Sequence, residues 1–188
     1  PFTAPYSEDQ RSVSSVPENV VDWVLVQLYS SPSGSVVASR SCFLHRDGRV
    51  VDDDGNNGVV RIRAMEDLYY IALKHRNHLA VMSSTPVKLT SYETVFIDFT
   101  TGINRFYGTW GGKQLDPGVW GTAGGNADAS DQDIFASDLA SIKIGLSSGV
   151  DGYWAADTDM DGRVSISDYE MCRHNVLGGF YSMIRDQR

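Results

Sequence analysis

The residues best suited to chemistry lie near the C-terminus, in the run Asp157-Thr158-Asp159-Met160-Asp161-Gly162-Arg163-Val164-Ser165-Ile166-Ser167-Asp168. Oxygen-bearing side chains recur at alternate positions, a glycine stands sixth, an aliphatic eighth and a carboxylate twelfth. That pattern matches an EF-hand-type calcium loop. Ca²⁺ is a hard ion that takes about six to eight oxygens, so carboxylates on alternate residues can converge on it. The expected ligands are Asp157, Asp159, Asp161, the backbone carbonyl of Arg163, Ser165 through a water, and Asp168. Gly162 permits the reversal that returns the second half of the loop to the ion. Position twelve is Asp where such loops usually carry Glu, and its shorter arm leaves the affinity open.

About 30 residues upstream, Asp131-Gln132-Asp133-Ile134-Phe135-Ala136-Ser137-Asp138-Leu139 echoes the run from Asp161 to Tyr169. Position five (Asp131), the aliphatic eighth, the serine eleventh and the carboxylate twelfth coincide. In strict register the first and third positions are Ala127 and Ala129, which offer no oxygen, and the sixth is Gln132. A one-residue insertion instead puts Asn126, Asp128 and Ser130 on the alternating positions, with Asp138 still closing. The sequence leaves both frames open. One Ca²⁺ is expected in the second loop, and a second ion depends on the frame of the first.

Two loops, each followed by a short helix, make an internal repeat. On these residues the segment from about Gly121 to Ile184 resembles the dockerin family of bacterial extracellular proteins. The resemblance implies two calcium loop–helix units packed as a pair, and a cohesin-like or other cell-surface protein as partner. It also implies recognition through the residues just before each closing carboxylate, here Ala136-Ser137 and Ile166-Ser167. Val20-Val21-Asp22-Trp23-Val24-Leu25-Val26, Val36-Val37-Ala38-Ser39-Arg40 and His75-Arg76-Asn77-His78-Leu79-Ala80-Val81-Met82-Ser83 are similar to a module of large secreted bacterial proteins that precedes dockerin-like repeats. That likeness implies architecture and an extracellular location, not an activity.

The elements that must position the loops follow from periodicity and punctuation. Residues 20–29 are β-branched and aromatic on both faces, as a central strand would be. Further strands are expected at 36–44, 49–51, 59–62, 68–74, 79–82, 87–90 and 94–99, separated by Gly, Pro, Asn and Asp turns. Together they predict a mainly β fold with a small α part, an antiparallel β-sandwich of about eight strands. The expected organisation is an N-terminal arm or linker at 1–16, the sandwich at 17–101, a Gly/aromatic connector at 102–120, and a dockerin-like calcium-binding domain at 121–188. Ser165 is placed to cap the last helix, Tyr169, Cys172 and Val176 form its apolar stripe, and Gly178-Gly179 end it.

Composition narrows the function. A formal net charge of −8 over 188 residues argues against nucleic-acid binding. No apolar run approaches the length of a membrane helix. Starting at Pro1, the chain reads as a mature or excised piece of a larger secreted protein. Cys42 and Cys172 are too few for a disulfide framework and read as two buried thiols, although the sequence leaves their pairing open. His75 and His78 face opposite sides of an extended strand unless Asn77 marks a turn, and read as hydrogen-bonded residues at a strand end. His45 reads as surface, and His174 has no ligand pattern around it. Asp52, Asp53 and Asp54 with Asn56 read as a solvated hairpin loop, since they lack the alternating ligand spacing.

No catalytic motif is present, so no enzyme activity is expected of this chain. The leading expectation is a noncatalytic extracellular calcium-binding module that assembles, anchors or supports a larger secreted or surface protein. The alternatives are a carbohydrate-binding module, with Tyr107, Trp110 and Trp120 as stacking faces for a glycan, or an accessory domain of a secreted polysaccharide-degrading enzyme.

Overall fold

The computed structural model describes residues 1–54, 58–108, 110–128 and 133–184. The chain is mainly β, with antiparallel sheets and two helices. Its contacts group into two units, each discontinuous in sequence. One contains Pro1–His75 and Thr85–Ile97; the other contains Arg76–Ser84 and the chain from Asp98 onward. The division differs from a simple boundary near residue 101, because one strand-bearing segment from the middle of the β region, Arg76–Ser84, groups with the C-terminal unit.

In the first unit the central strand is β1 (Val20–Tyr29), antiparallel to both β2 (Val36–His45) and β4 (Asp67–His75). The two-residue β3 (Val50–Val51) extends β2. The start of β4 pairs with β6 (Val87–Leu89) before the strand moves on to pair with β1. Seven of β1's ten residues are buried, across both faces, with Asp22 and Gln27 as the two polar members. On one face Trp23 packs on Phe43, ring centroids 4.2 Å apart, with Ala4 and Val51. Leu28, Tyr69 and Ile71 form a second cluster that takes in Ile62, Val87 and Ile97.

Two expected strands are absent: 59–62 and 94–99 have no ladder partner and run as irregular chain. Six of the eight expected strands form, five of them in one hydrogen-bonded network in this unit and the sixth, His78–Met82, in the other. Ile62 and Ile97 still bury apolar surface although their segments enter no ladder. The arm at 1–16 also differs from a linker. Trp23 Nε1 donates to the Pro1 carbonyl at 3.0 Å, the Tyr6 hydroxyl donates to the Trp23 carbonyl at 3.0 Å, and the Ser41 amide donates to Asp9 at 2.7 Å.

The second unit contains β5 (His78–Met82), the hairpin β7 (Lys113–Asp116) and β8 (Val119–Gly121), and helices α1 (Ala136–Ser148) and α2 (Ile166–Gly178). The expected connector thus holds a small two-stranded sheet, turned at Pro117-Gly118, where Gly118 takes a φ of 77°. Ile142, Cys172, Ile134 and Val164 form the core between the repeats, joined by Leu79 and Ala123. Gly145 makes the close approach there, since a Cβ on it would meet Val164 Cγ1 at 2.9 Å. No helix among the described residues is long and apolar enough to cross a membrane.

Candidate metal centre

The loop at 157–168 takes its shape from backbone amides that point at carboxylates. Asp168 lies at the third residue of α2 and is fully buried. Its Oδ1 accepts from the Thr158 amide at 2.6 Å and the Asp159 amide at 3.1 Å, and its Oδ2 accepts from the Ser165 amide at 2.8 Å. Ser165 and Asp168 form a capping box, the Ser165 side chain accepting from the Asp168 amide, and it accepts from the Ser167 amide at 3.2 Å as well. Inside the loop, Asp159 accepts from the Asp161 amide, Asp161 from the Arg163 amide and Asp157 from the Gly162 amide. Met160 and Gly162 adopt left-handed φ values of 62° and 92°, which fold the loop back on itself.

Each of Asp157, Asp159 and Asp161 thereby presents a carboxylate oxygen within 4.8 Å of the other two. This cluster can hold a metal ion. Asp157 is 2% exposed, and its Oδ1 has no hydrogen-bond partner among the described residues. Burial pushes the Asp157 carboxyl above the ordinary range, Arg76 opposes that shift, and the charges of Asp168 and Asp159 add to it. An oxygen so placed is costly unless a cation or a water completes it. The donor set is all carboxylate, which suits a hard cation and not a soft one.

Of the expected ligands, Asp157, Asp159 and Asp161 converge. Asp168 lies outside that cluster with both oxygens turned to backbone amides, Ser165 caps α2, and Arg163 pairs through its backbone with Asp151.

The first loop repeats the frame. The Asp128 amide donates to Asp138 Oδ1 at 3.1 Å and the Phe135 amide to Asp138 Oδ2 at 2.8 Å. These are the counterparts of Thr158 and Ser165 on Asp168, offset by thirty residues. The same offset relates α1 to α2, the left-handed caps Gly149 and Gly179, and the bridge Asp151–Arg163 to the bridge Asp133–Tyr181. Strict register therefore describes the repeat, and buried Ala127 stands where the second loop has Asp157. Asn126 is buried too, and its amide donates to the Asn77 carbonyl at 3.1 Å. Ser130 and Asp131 lie outside the described residues. Among those described, no metal-binding group forms in the first loop.

Two of the histidines lie beside polar partners. His75 Nε2 lies 3.1 Å from Asp22 Oδ2, and His78 Nδ1 lies 2.8 Å from Asn77 Oδ1, with Asn77 in a turn as its type allows. His45 is half-buried and not at the surface, with Nε2 lacking a partner among the described residues. Both cysteines are buried free thiols. Burial pushes Cys42 far up and Cys172 up to about 12.

Sequence reasoning missed a polar cleft of about 780 Å³ in the first unit, lined by Asp9, Arg11, Arg40, Asp52, Arg61 and Arg63 among others. Asp52, expected in solvent, is 3% exposed and accepts from Arg40. Burial alone would raise its carboxyl, but hydrogen bonds from Arg40 and the Asp53 backbone hold it below the ordinary range.

No protein-family model, curated protein or solved structure matches this chain.

Proposed function

We propose that this chain is a noncatalytic, extracellular calcium-binding module of a larger secreted or surface protein, with dockerin-like repeats of which the second holds one structural Ca²⁺. The observation that carries the reading is the buried, unpartnered Asp157 oxygen beside converging oxygens of Asp159 and Asp161. Calcium is favoured because the donors are all hard oxygens on alternate residues of a twelve-residue loop. A single ion is favoured because Ala127 offers a methyl group where Asp157 offers a carboxylate. The thirty-residue offset of helices, caps and bridges supports the likeness to dockerin repeats. The ion's role is structural: its binding free energy adds to folding free energy and offsets repulsion among the carboxylates.

Thermal melts of the whole chain test this directly. Calcium is expected to raise the melting temperature and excess EDTA to lower it again; identical melts would reject the metal assignment. A cohesin-like partner is the narrower part of the proposal. It is tested by titrating the calcium-loaded chain against a panel of cohesin domains, and no binding at high micromolar concentration removes it. The 45% exposure of Trp110 supports the alternative of glycan binding, which an array of polysaccharides without hits would eliminate.

A further inference from the structure

The first position of the second loop is held by a residue that the loop itself does not contain. Arg76, on the segment Arg76–Ser84 of the same unit, places Nη2 3.8 Å from Asp157 Oδ2. Both side chains are more than nine-tenths buried, at 8% and 3% exposure. The guanidinium is seated from two further sides: Nη1 donates to the Trp154 carbonyl, and the group lies 4.2 Å over the Tyr153 ring. The adjacent Asn77, also buried, donates from Nδ2 to the Asp157 carbonyl, while its own carbonyl accepts from the amides of Gly125 and Asn126. The head of the second loop and the residues just before the first are therefore held by one turn.

We propose that Arg76 is the resident counter-ion of the 157–168 loop, a positioning residue that orders the metal-free loop and weakens its hold on a cation. The proposal rests on the cation-site reading above. Four carboxylates within twelve residues repel one another when no cation is present, and an arginine is charged at every accessible pH. Arg76 supplies positive charge at the most buried of the three converging carboxylates. When a divalent cation binds Asp157, the same guanidinium repels it. One residue thus acts with opposite sign on the two states.

Calorimetric titration of the whole chain with Ca²⁺, paired with melts in EDTA, tests the proposal. Arg76→Gln keeps a donor for the Trp154 carbonyl but removes the charge. It is expected to lower the metal-free melting temperature and to tighten the calcium Kd about tenfold, the scale of a unit charge facing a divalent ion across a few ångströms of water-like medium. Arg76→Lys is expected to bring the Kd back toward the parent value. A purely structural arginine would lower the melting temperature and weaken binding together. An unchanged or weaker Kd in Arg76→Gln, with the parent chain binding, overturns the counter-ion role alone. A parent chain that binds no calcium overturns the cation site and the counter-ion role with it. Should Arg76→Gln not fold, Tyr153→Leu loosens the arginine's seat. It is expected to tighten the Kd about twofold to threefold, and no tightening would reject the role.

Discussion

The two repeats of the second unit share a skeleton and differ in what it carries. In each, a buried aspartate at the third position of a helix gathers backbone amides from the loop before it, and a glycine in the left-handed region ends the helix thirteen residues after it begins. Among the described residues, three further carboxylates come together in the second loop and not in the first. The closing aspartate and the carboxylate cluster are thus separable: one shapes the loop through amides, and the others form a group that can hold an ion. The first repeat keeps its amide frame with Ala127 in the place of Asp157.

The sharpest way to break this comparison is to remove the closing carboxylates. Asp138→Ala and Asp168→Ala each leave buried amides without acceptors, and each is expected to cost about 3 kcal/mol in urea unfolding, with Asp138→Ala doing so regardless of calcium. If only Asp168→Ala mattered, the two frames would not be equivalent. Next in size, Asp157→Asn should weaken calcium binding about a hundredfold by calorimetry, and it should lower the melting temperature in EDTA because it takes the Asp157 charge away from the buried Arg76 guanidinium. Ala127→Asp puts that charge into the first loop. It is expected to lower metal-free stability by about 2 kcal/mol in EDTA, and a neutral outcome would mean the site opens to water.

Acidity separates the loops by sign. Burial pushes the Asp138 carboxyl up to about 6, with the Asp128 charge adding to the rise and amides from Phe135 and Asp128 opposing it. A carboxyl raised in the folded state contributes stability that is fully present below its unfolded value, near 3.9, and lost as pH rises through about 6. Melts in EDTA should therefore be higher at pH 5 than at pH 7 on this group's account. The Asp157 carboxyl is also raised by burial, so protons compete with the cation and calcium affinity should fall as the pH is lowered. The smallest effect is expected from Ser165→Ala, about 1 kcal/mol for a lost helix cap, in a loop whose counterpart has Phe135 at that position and manages without.

What the sequence disclosed depended on how local the signal was. Strands β1, β2 and β4 are legible because β-branched and aromatic runs end at turn residues, and the second loop because its ligand types and glycine recur within twelve positions. The segments 59–62 and 94–99 have similar composition but find no ladder partner, and pairing is not a local property. Asp168's amides could be foreseen from the capping-box spacing with Ser165, but its absence from the carboxylate cluster could not. Arg76 gave no sign, since its partners Tyr153, Trp154 and Asp157 lie about eighty residues away. The frame of the first loop became readable only when its hydrogen bonds could be laid over those of the second.

The segment that carries Arg76 also bears on synthesis. It precedes Thr85–Ile97, which belongs to the first unit, and it packs with chain made later. Leu79, Val81 and Met82, all at 1% exposure in the finished protein, leave the ribosome long before α2 exists to receive Leu79. At ordinary elongation speed that interval is roughly 5–20 s. Throughout it the nascent chain carries an apolar strand without its final neighbours, a natural target for a holding chaperone. No single cut frees either unit, so they must be expressed, and inherited, as one piece.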